Sequence, residues 1–390
     1  FHLTDPRGAS DKSGRTFNNP YQYFFEQMHM DDAIYADESI YEYPMQQGGG
    51  NDGRPYSFGR PSSGGSKAAY PCKSYGQGRI NPAYFYGVFD PNDMRRDVSI
   101  TMTGSNGKGV EKLIPFVPNS KAEGGGLTLN KWDENRQANP WVAAQRKSGI
   151  NGPYMRMSEV YLGYAEVCAA LGDVVTGKQY LKTVRERSFP QGLANTDAFI
   201  ASFGNDLVRA IIEERGFEYA GEGDRRWTLI RSGYLPEDIK RIKDMTKAMM
   251  DGLATKGYYE FENGNIISAY IWTKLVDAKT IYGHRLTAQC PTDKVNDPVL
   301  YPGWRGQKDN WEEMGLNYGS STPATNLAIK GLFEIVSEEE AASLESQGYT
   351  KVNWGIDLVD NRDEYDKYLF WDYDYVSAPI YLWPFTPNVM

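Results

Sequence analysis

Residues 153–188, PYMRMSEVYLGYAEVCAALGDVVTGKQYLKTVRERS, restrict the possible folds more than any other stretch of this chain. Met157, Val160, Tyr161, Tyr164, Cys168 and Leu171 recur at three- and four-residue steps, the period that lines one face of a helix. The spacing predicts a helix opening at Pro153, whose missing N–H has no helical partner to lose. Gly172-Asp173 reads as a stop followed by a fresh N-cap. A second helix follows, with Tyr180, Leu181 and Val184 on its inner face. Small residues at Ala165, Gly172 and Gly177 fall where two antiparallel helices need room to approach.

These are the spacings of a tetratricopeptide-type helical hairpin. Such hairpins bury their apolar faces by stacking, and about three or more copies are needed for stability. No clear second copy occurs in the 390 residues. Two readings stand at this point: an ordinary hairpin packed on a globular body, or one hairpin of a set whose other members lie outside this sequence.

A chain of this length with 40% apolar residues can hold two domains or one large one. It has no run of eighteen apolar residues, so no helical membrane span is expected. The net charge is −9 and lysine and arginine form no dense cluster, which argues against nucleic-acid binding. The aromatic content is unusual: 28 Tyr, 16 Phe and 9 Trp in a chain of mean hydropathy −0.59. So polar a chain cannot bury them all, and many are expected in Gly-, Asn- and Asp-rich segments where flat rings serve recognition. Cys72, Cys168 and Cys290 are odd in number and share no metal spacing, and His2, His29 and His284 form no ligand cluster. No cofactor or metal is expected.

Residues 1–150 read as a loop-rich region with short strands, forming part of a ligand face. Within them, 20–36 carry Tyr21, Phe24, Phe25 and Met28 at helical steps, and 44–78 form a long loop punctuated by Tyr56 and Phe58. Val98, Ile100 and Met102 alternate as a strand would. Asp90, Asn92, Asp93 and Asp97 offer oxygens but lack the spacing and glycine of an EF-hand, so a solvated turn is the expectation and calcium the alternative.

Residues 151–390 read as a helical domain with a long loop insertion at about 254–323. A helix over 206–220 turns Leu207, Ala210, Ile211 and Phe217 inward, Gly221-Glu222-Gly223 breaks it, and further helices are expected over 224–232, 238–253 and 325–336. Glu214, Arg215, Glu218, Glu222, Arg225, Arg226 and Arg231 crowd together, and at their spacings a network fixing helix against helix is favoured over a catalytic set.

At this point a family resemblance emerges. Arg156-Met-Ser-Glu159, Leu162, Ala165-Glu166, Gly172 and Val184-Arg185-Glu186-Arg187 resemble the core signature of the SusD/RagB family. So do Glu214-Arg215, Glu218, Gly221-Glu222-Gly223, Arg225-Arg226-Trp227, Leu229 and Arg231, and the closing IYLWPFTPNVM resembles the start of the family's last phrase. The resemblance spans about residues 80–390. Thr228 departs from it, standing where the family often has an acidic residue, which puts one ion pair in doubt. The family's terminal Gln-Asn-Pro-Gly phrase, lipobox and early helical repeats are absent, which favours the second reading of the hairpin, a fragment.

The resemblance implies a mainly α fold: tetratricopeptide-like hairpins packed with a long-loop, aromatic-rich ligand region containing little β. It also implies an outward-facing lipoprotein of the outer membrane, held by a lipid anchor. Relatives bind glycans, some bind peptides, and they cover a SusC-like TonB-dependent transporter; they are binding proteins, not enzymes. The composition supports the same role independently. Sugar rings present apolar C–H faces rimmed by hydroxyls, so a site needs exposed aromatic planes flanked by polar side chains. Candidate rings are Trp132, Trp141, Tyr56, Phe58, Trp304 and Trp311, with Arg60, Asn135 and Asn310 as polar partners. For each ring, packing in the core or anchoring a loop is the competing role. Two other functions compete: a glycoside hydrolase with two carboxylates set roughly 5–10 Å apart, and a peptide-binding relative or helical scaffold.

Overall fold

The computed structural model describes residues 2–4, 20–21, 24–25, 38–43, 45, 78–105, 111–114, 116, 126–132, 150–277 and 325–363. Pro20, Tyr21, Phe24 and Phe25 are helical; strand β1 (Ser39–Tyr43) follows, then helices α1 (Pro82–Gly87) and α2 (Arg95–Ser99) and strands β2 (Ile100–Thr101), β3 (Thr103–Ser105), β4 (Glu111–Leu113), β5 (Thr128–Leu129) and β6 (Gly152–Arg156). Helices α3 (Met157–Ala170), α4 (Val174–Arg187), α5 (Thr196–Ala201), α6 (Leu207–Glu218), α7 (Asp224–Ser232) and α8 (Leu235–Lys256) follow without a strand between them. Then come β7 (Tyr258–Glu260), β8 (Ile266–Ser268), β9 (Tyr270–Asp277), β10 (Thr325–Lys330), α9 (Glu338–Ser346), β11 (Thr350–Asn353) and α10 (Gly355–Asp360). The molecule is mostly helical with few small sheets, as the resemblance implies.

The hairpin is present as α3 and α4. Gly172 takes the left-handed conformation (φ 86°) that ends α3, and the Asp173 side chain accepts from the Thr176 N–H at 3.1 Å to start α4. A Cβ on Gly177 would lie 2.9 Å from the Ala165 carbonyl oxygen, so only glycine lets these helices come this close.

Two expectations fail here. Residues 152–156 extend as β6 and pair with β1, so the helix opens at Met157 and Pro153 belongs to a strand. The inward face of α3 is Ser158, Leu162, Ala165 and Cys168, whereas Val160, Tyr164 and Leu171 point to solvent. The cause is the close approach itself: Ala165 fits beneath α4, and the larger stripe does not.

Helix α6 behaves as expected, capped by Asp206 and buried along Leu207, Ala210, Ile211 and Phe217. With Leu162, Leu181 and Val184, the residues Leu207, Ala210 and Ile211 make one core. A larger core gathers Phe85, Tyr86, Ile100, Met102 and Leu127 against Phe217, Met249, Leu253, Ile271, Ile329 and Trp354. The stretch 325–336 contains no helix. Residues 325–330 form β10, antiparallel to β9 with Leu327 opposite Leu275, and β11 pairs with the other edge of β9. Tyr258–Glu260, Ile266–Ser268 and Tyr270–Asp277 are likewise strands at the head of the expected loop insertion; residues 278–324 lie outside the described set. Arg95–Ser99 is a short helix, so the expected strand near Val98 begins only at Ile100.

Candidate functional site: a tyrosine ribbon rooted in buried charge

The charged residues of α6 and its following turn meet others from five segments elsewhere in the chain. Arg156, the last residue of β6, donates to Glu38 Oε1 (3.0 Å), Glu218 Oε1 (2.8 Å), Ser158 Oγ (2.8 Å) and both oxygens of Glu222 (2.9 Å each). Arg187 reaches Glu38 and Glu218 at 2.6 Å, Arg95 reaches Asp93, Glu214 and Glu218, Arg185 reaches Glu214, and Lys131 reaches Glu222 at 2.6 Å. Five cations thus meet five carboxylates, all buried. Buried ions are tolerated only when paired and hydrogen-bonded on most sides, and this balance meets that condition. Tyr21, Phe24, Phe25 and Tyr219 close around the Arg156 guanidinium, 4.9–5.8 Å from its carbon.

The electrostatics follow from this packing. Burial alone would raise the Glu218 carboxyl, but Arg187, Arg156 and Arg95 outweigh it and hold the group well below the usual carboxylate range. Glu222 is lowered in the same way by Arg156 and Lys131. Burial pulls the Lys131 ammonium down to about 8, against the opposing pull of Glu222.

Carboxylates held by guanidiniums in this way are structural, as the spacing led one to expect. Arg225 likewise holds Glu213 and Asp238, and Arg231 grips Glu166 of α3. Thr228 fills the place of the missing acid: its hydroxyl donates to Asp224 at 2.9 Å and accepts from Arg215 at 3.3 Å.

Glu38 and Arg156 are the roots of β1 and β6, so the cluster clamps both strands of a two-stranded ribbon at their base. Above the clamp the ribbon turns aromatic side chains to solvent. Tyr41, Tyr43 and Tyr154 are 58, 60 and 70% exposed. The Tyr41 and Tyr154 rings meet edge to face, 5.7 Å apart and inclined at 85°. An irregularity in the pairing beside Tyr41 accompanies the outward turn of both Tyr154 and Met155. At the far end the Asn151 side chain donates to Glu42 Oε2 and accepts from the Met45 N–H, each at 2.8 Å. The ribbon is therefore fixed at both ends, with two rings forming a corner and a third ring and a carboxylate beside it.

Of the residues chosen from sequence, Trp132 is fully buried, and this corrects its role as an exposed platform. It ends a stretch, Gly126 to Trp132, that is buried throughout and carries Lys131 into the ion cluster. Trp141, Tyr56, Phe58, Trp304, Trp311, Arg60, Asn135 and Asn310 lie outside the described residues. Sequence reasoning misses these tyrosines because no strand is expected at 39–43 within the loop-rich region and Pro153 reads as a helix start. The signal was the alternation Tyr41-Glu42-Tyr43 opposite Tyr154. Among the described residues no His, Cys, Asp or Glu cluster could hold a metal. Asp93 is bound to Arg95, Asp97 to Arg96, and Asp90 accepts from the Asn92 N–H.

The chain is similar to several known proteins. The SusD family profile matches residues 6–302. SusD-like protein P25 of Formosa agariphila is 28% identical over 160 residues, which are 41% of this chain and 26% of that protein. Among solved structures, a SusD homologue from Bacteroides thetaiotaomicron shares 18% identity at a TM-score of 0.40, covering 62% of this chain and 49% of that one. Surface glycan-binding protein A from the same organism, in complex with laminarihexaose, shares 19% at 0.36, covering 53% and 45%. The chain spans half or less of the length of these relatives. With most of its length matched by the family profile, the chain belongs to the SusD family.

Proposed function

We propose that this chain binds glycans at the cell surface and releases them chemically unchanged. The observation that carries the reading is the tyrosine ribbon, where rings stand in solvent on a base of buried ion pairs. Tyr41 and Tyr154 offer a floor and a wall for the C–H faces of a sugar, and Tyr43 lies two residues along β1, on the order of 7 Å away, where a neighbouring sugar can meet it. Glu42 and the tyrosine hydroxyls supply partners for sugar hydroxyls. The carboxylates of the ion cluster are held by arginines and Lys131, which makes them structural and argues against their serving as a hydrolytic pair.

In this reading the protein sits outward on the outer membrane through a lipid anchor and hands its ligand to a SusC-like TonB-dependent transporter. Family membership supports both assignments. No described helix is long and apolar enough to cross a membrane.

Isothermal calorimetry against a polysaccharide panel tests the proposal. A binding partner is expected, with unchanged reducing ends, and Tyr41→Ala and Tyr154→Ala are each expected to weaken it about two- to tenfold, from aromatic contacts worth ~0.5–1.5 kcal/mol each. Binding indifferent to both substitutions would show that the ribbon is not the site. Silence across the panel alongside peptide binding would replace glycan with peptide.

A further inference from the structure

We infer that the outer face of the β10–β9–β11 sheet is a second glycan surface, one that takes saccharides bearing carboxylate or sulfate groups. The inference rests on the reading of this chain as a glycan binder, but uses none of the ribbon's residues.

The pleat of β9 divides its side chains between two faces. Ile271 turns inward with Leu327 and Ile329 to the larger core, so Tyr270, Trp272 and Lys274 share the other face. Strand pairing fixes their neighbours. Trp272 has Lys330 opposite it on β10 and Lys351 opposite it on β11, and Tyr270 has Asn353. Tyr349, just before β11, stands beside Lys274, whose ammonium lies 5.9 Å from the centre of its ring. Lys351 Nζ lies 4.0 Å from the centre of the Tyr270 ring and 5.8 Å from that of Trp272. Rings and ammonium groups therefore alternate across the face.

Charge sets this face apart. The chain has 51 acidic residues against 42 basic ones, and exposed lysines elsewhere find acids: Lys178 meets Asp197, Lys182 meets Glu186 and Lys240 meets Asp244. Lys274 and Lys351 do not. Lys274 donates to the Gln347 carbonyl at 2.7 Å, at the end of α9, and Lys351 lies over rings. Among the described residues neither is ion-paired with a carboxylate. Acids reach the face at two corners. Asn353 bonds to Asp357, and Lys330 pulls against the burial and the Glu340 charge that raise the Glu334 carboxyl. Between those corners the buried Trp272 N–H also has no acceptor. A further layer of protein would strand these ammonium groups, because a buried charge must be paired.

Lys274 and Lys351 are diagonal neighbours across the sheet, on the order of 7–8 Å apart along the backbone. At that separation one saccharide can meet both. An ammonium is a point charge with rotatable donors, which suits carboxylate and sulfate alike, and the rings between offer a surface to C–H groups. The ribbon is of the other kind: its one cation, Arg156, is buried, so its rings stand in solvent without positive charge.

Isothermal calorimetry with the full chain tests this, comparing oligogalacturonate and a heparin oligosaccharide with neutral maltohexaose. An acidic saccharide is expected to bind, less tightly as NaCl is raised from about 0.05 to 0.5 M. Joint replacement by Lys274→Gln and Lys351→Gln is expected to weaken that binding about two- to thirtyfold, the loss of two exposed ion pairs, with unchanged circular dichroism. Tyr41→Ala is expected to leave it unchanged. Acidic saccharides that do not bind while neutral ones do, or acidic binding indifferent to salt or to the lysine substitutions, overturn the inference and leave the ribbon reading standing. Inorganic sulfate that displaces the saccharide at equal concentration overturns the assignment of the face to glycans. Acidic binding that depends on the lysines, with no neutral glycan bound anywhere in the panel, upholds the inference and removes the ribbon instead.

Discussion

Arg156→Met keeps most of the length of the side chain and removes the fork that joins three carboxylates. Six hydrogen bonds of 2.8–3.1 Å vanish together: three to carboxylates at Nη1 and Nε, one to Ser158, and two from Nη2 to the Glu218 carbonyl and Glu222. Their energies do not add, because they belong to one network. The relevant figure is the ~3–5 kcal/mol lost when one partner of a buried pair is removed. Glu38 keeps Arg187, Glu218 keeps Arg187 and Arg95, and Glu222 keeps Lys131, which places the loss near the lower end, at about 3 kcal/mol. In a domain of this size that corresponds to a fall of roughly 6 °C in Tm. Urea unfolding should show a lower midpoint at an unchanged m-value. Because Glu38 and Arg156 root the ribbon, glycan affinity should also fall in the folded variant, well below its melting point. A Tm within about 1 °C of wild type would mean the cluster is a bystander and that the ribbon is held by something else.

Acid and alkali should act in opposite senses. Glu218 and Glu222 lie below their ordinary value of 4.5 in the folded state, so their stabilisation is fully present above that value and is lost as pH falls through the folded one; urea midpoints should hold to about pH 5 and then drop. Lys131 is lowered from 10.5 to about 8, so between those values the unfolded chain binds the extra proton and stability should rise by up to about 3 kcal/mol toward pH 10, until tyrosines of the unfolded chain ionise while Tyr21 and Tyr219 stay protonated. Lys131→Met should abolish that rise. Gly177→Val would drive a side chain into the Ala165 carbonyl and should destabilise by ~1–3 kcal/mol, read as a lower urea midpoint.

The parts of the fold legible in sequence were those fixed by neighbours along the chain. Gly172-Asp173, Asp206 and Gly221-Glu222-Gly223 set helix ends through local hydrogen bonds and backbone geometry, and these ends fell where expected. The crowding from Glu214 to Arg231 was recognisable as a network because its spacing is helical. What stayed hidden depended on partners far away. Thr325–Lys330 became a strand because β9, some fifty residues earlier, offers it an edge. The face of α3 that turns inward was decided by Gly177 on another helix, not by the periodicity of α3 itself. Glu38, Asp93, Arg95 and Lys131 carry no local sign that they will meet Glu218 or Glu222, and the exposed rings of β1 and β6 carry none that they will meet each other.

The clamp beneath the ribbon has a practical consequence for anyone wishing to transplant it. Copying the ten residues of the two strands into another scaffold would move the rings and leave their foundation behind. Glu38 is answered by Arg156 across 118 positions and by Arg187 across 149, and the aromatic lining of Arg156 comes from residues 21, 24, 25 and 219. A working graft would have to carry the closing turn of α4, the end of α6 and the lysine at 131 along with the ribbon, which makes the smallest portable unit most of the body.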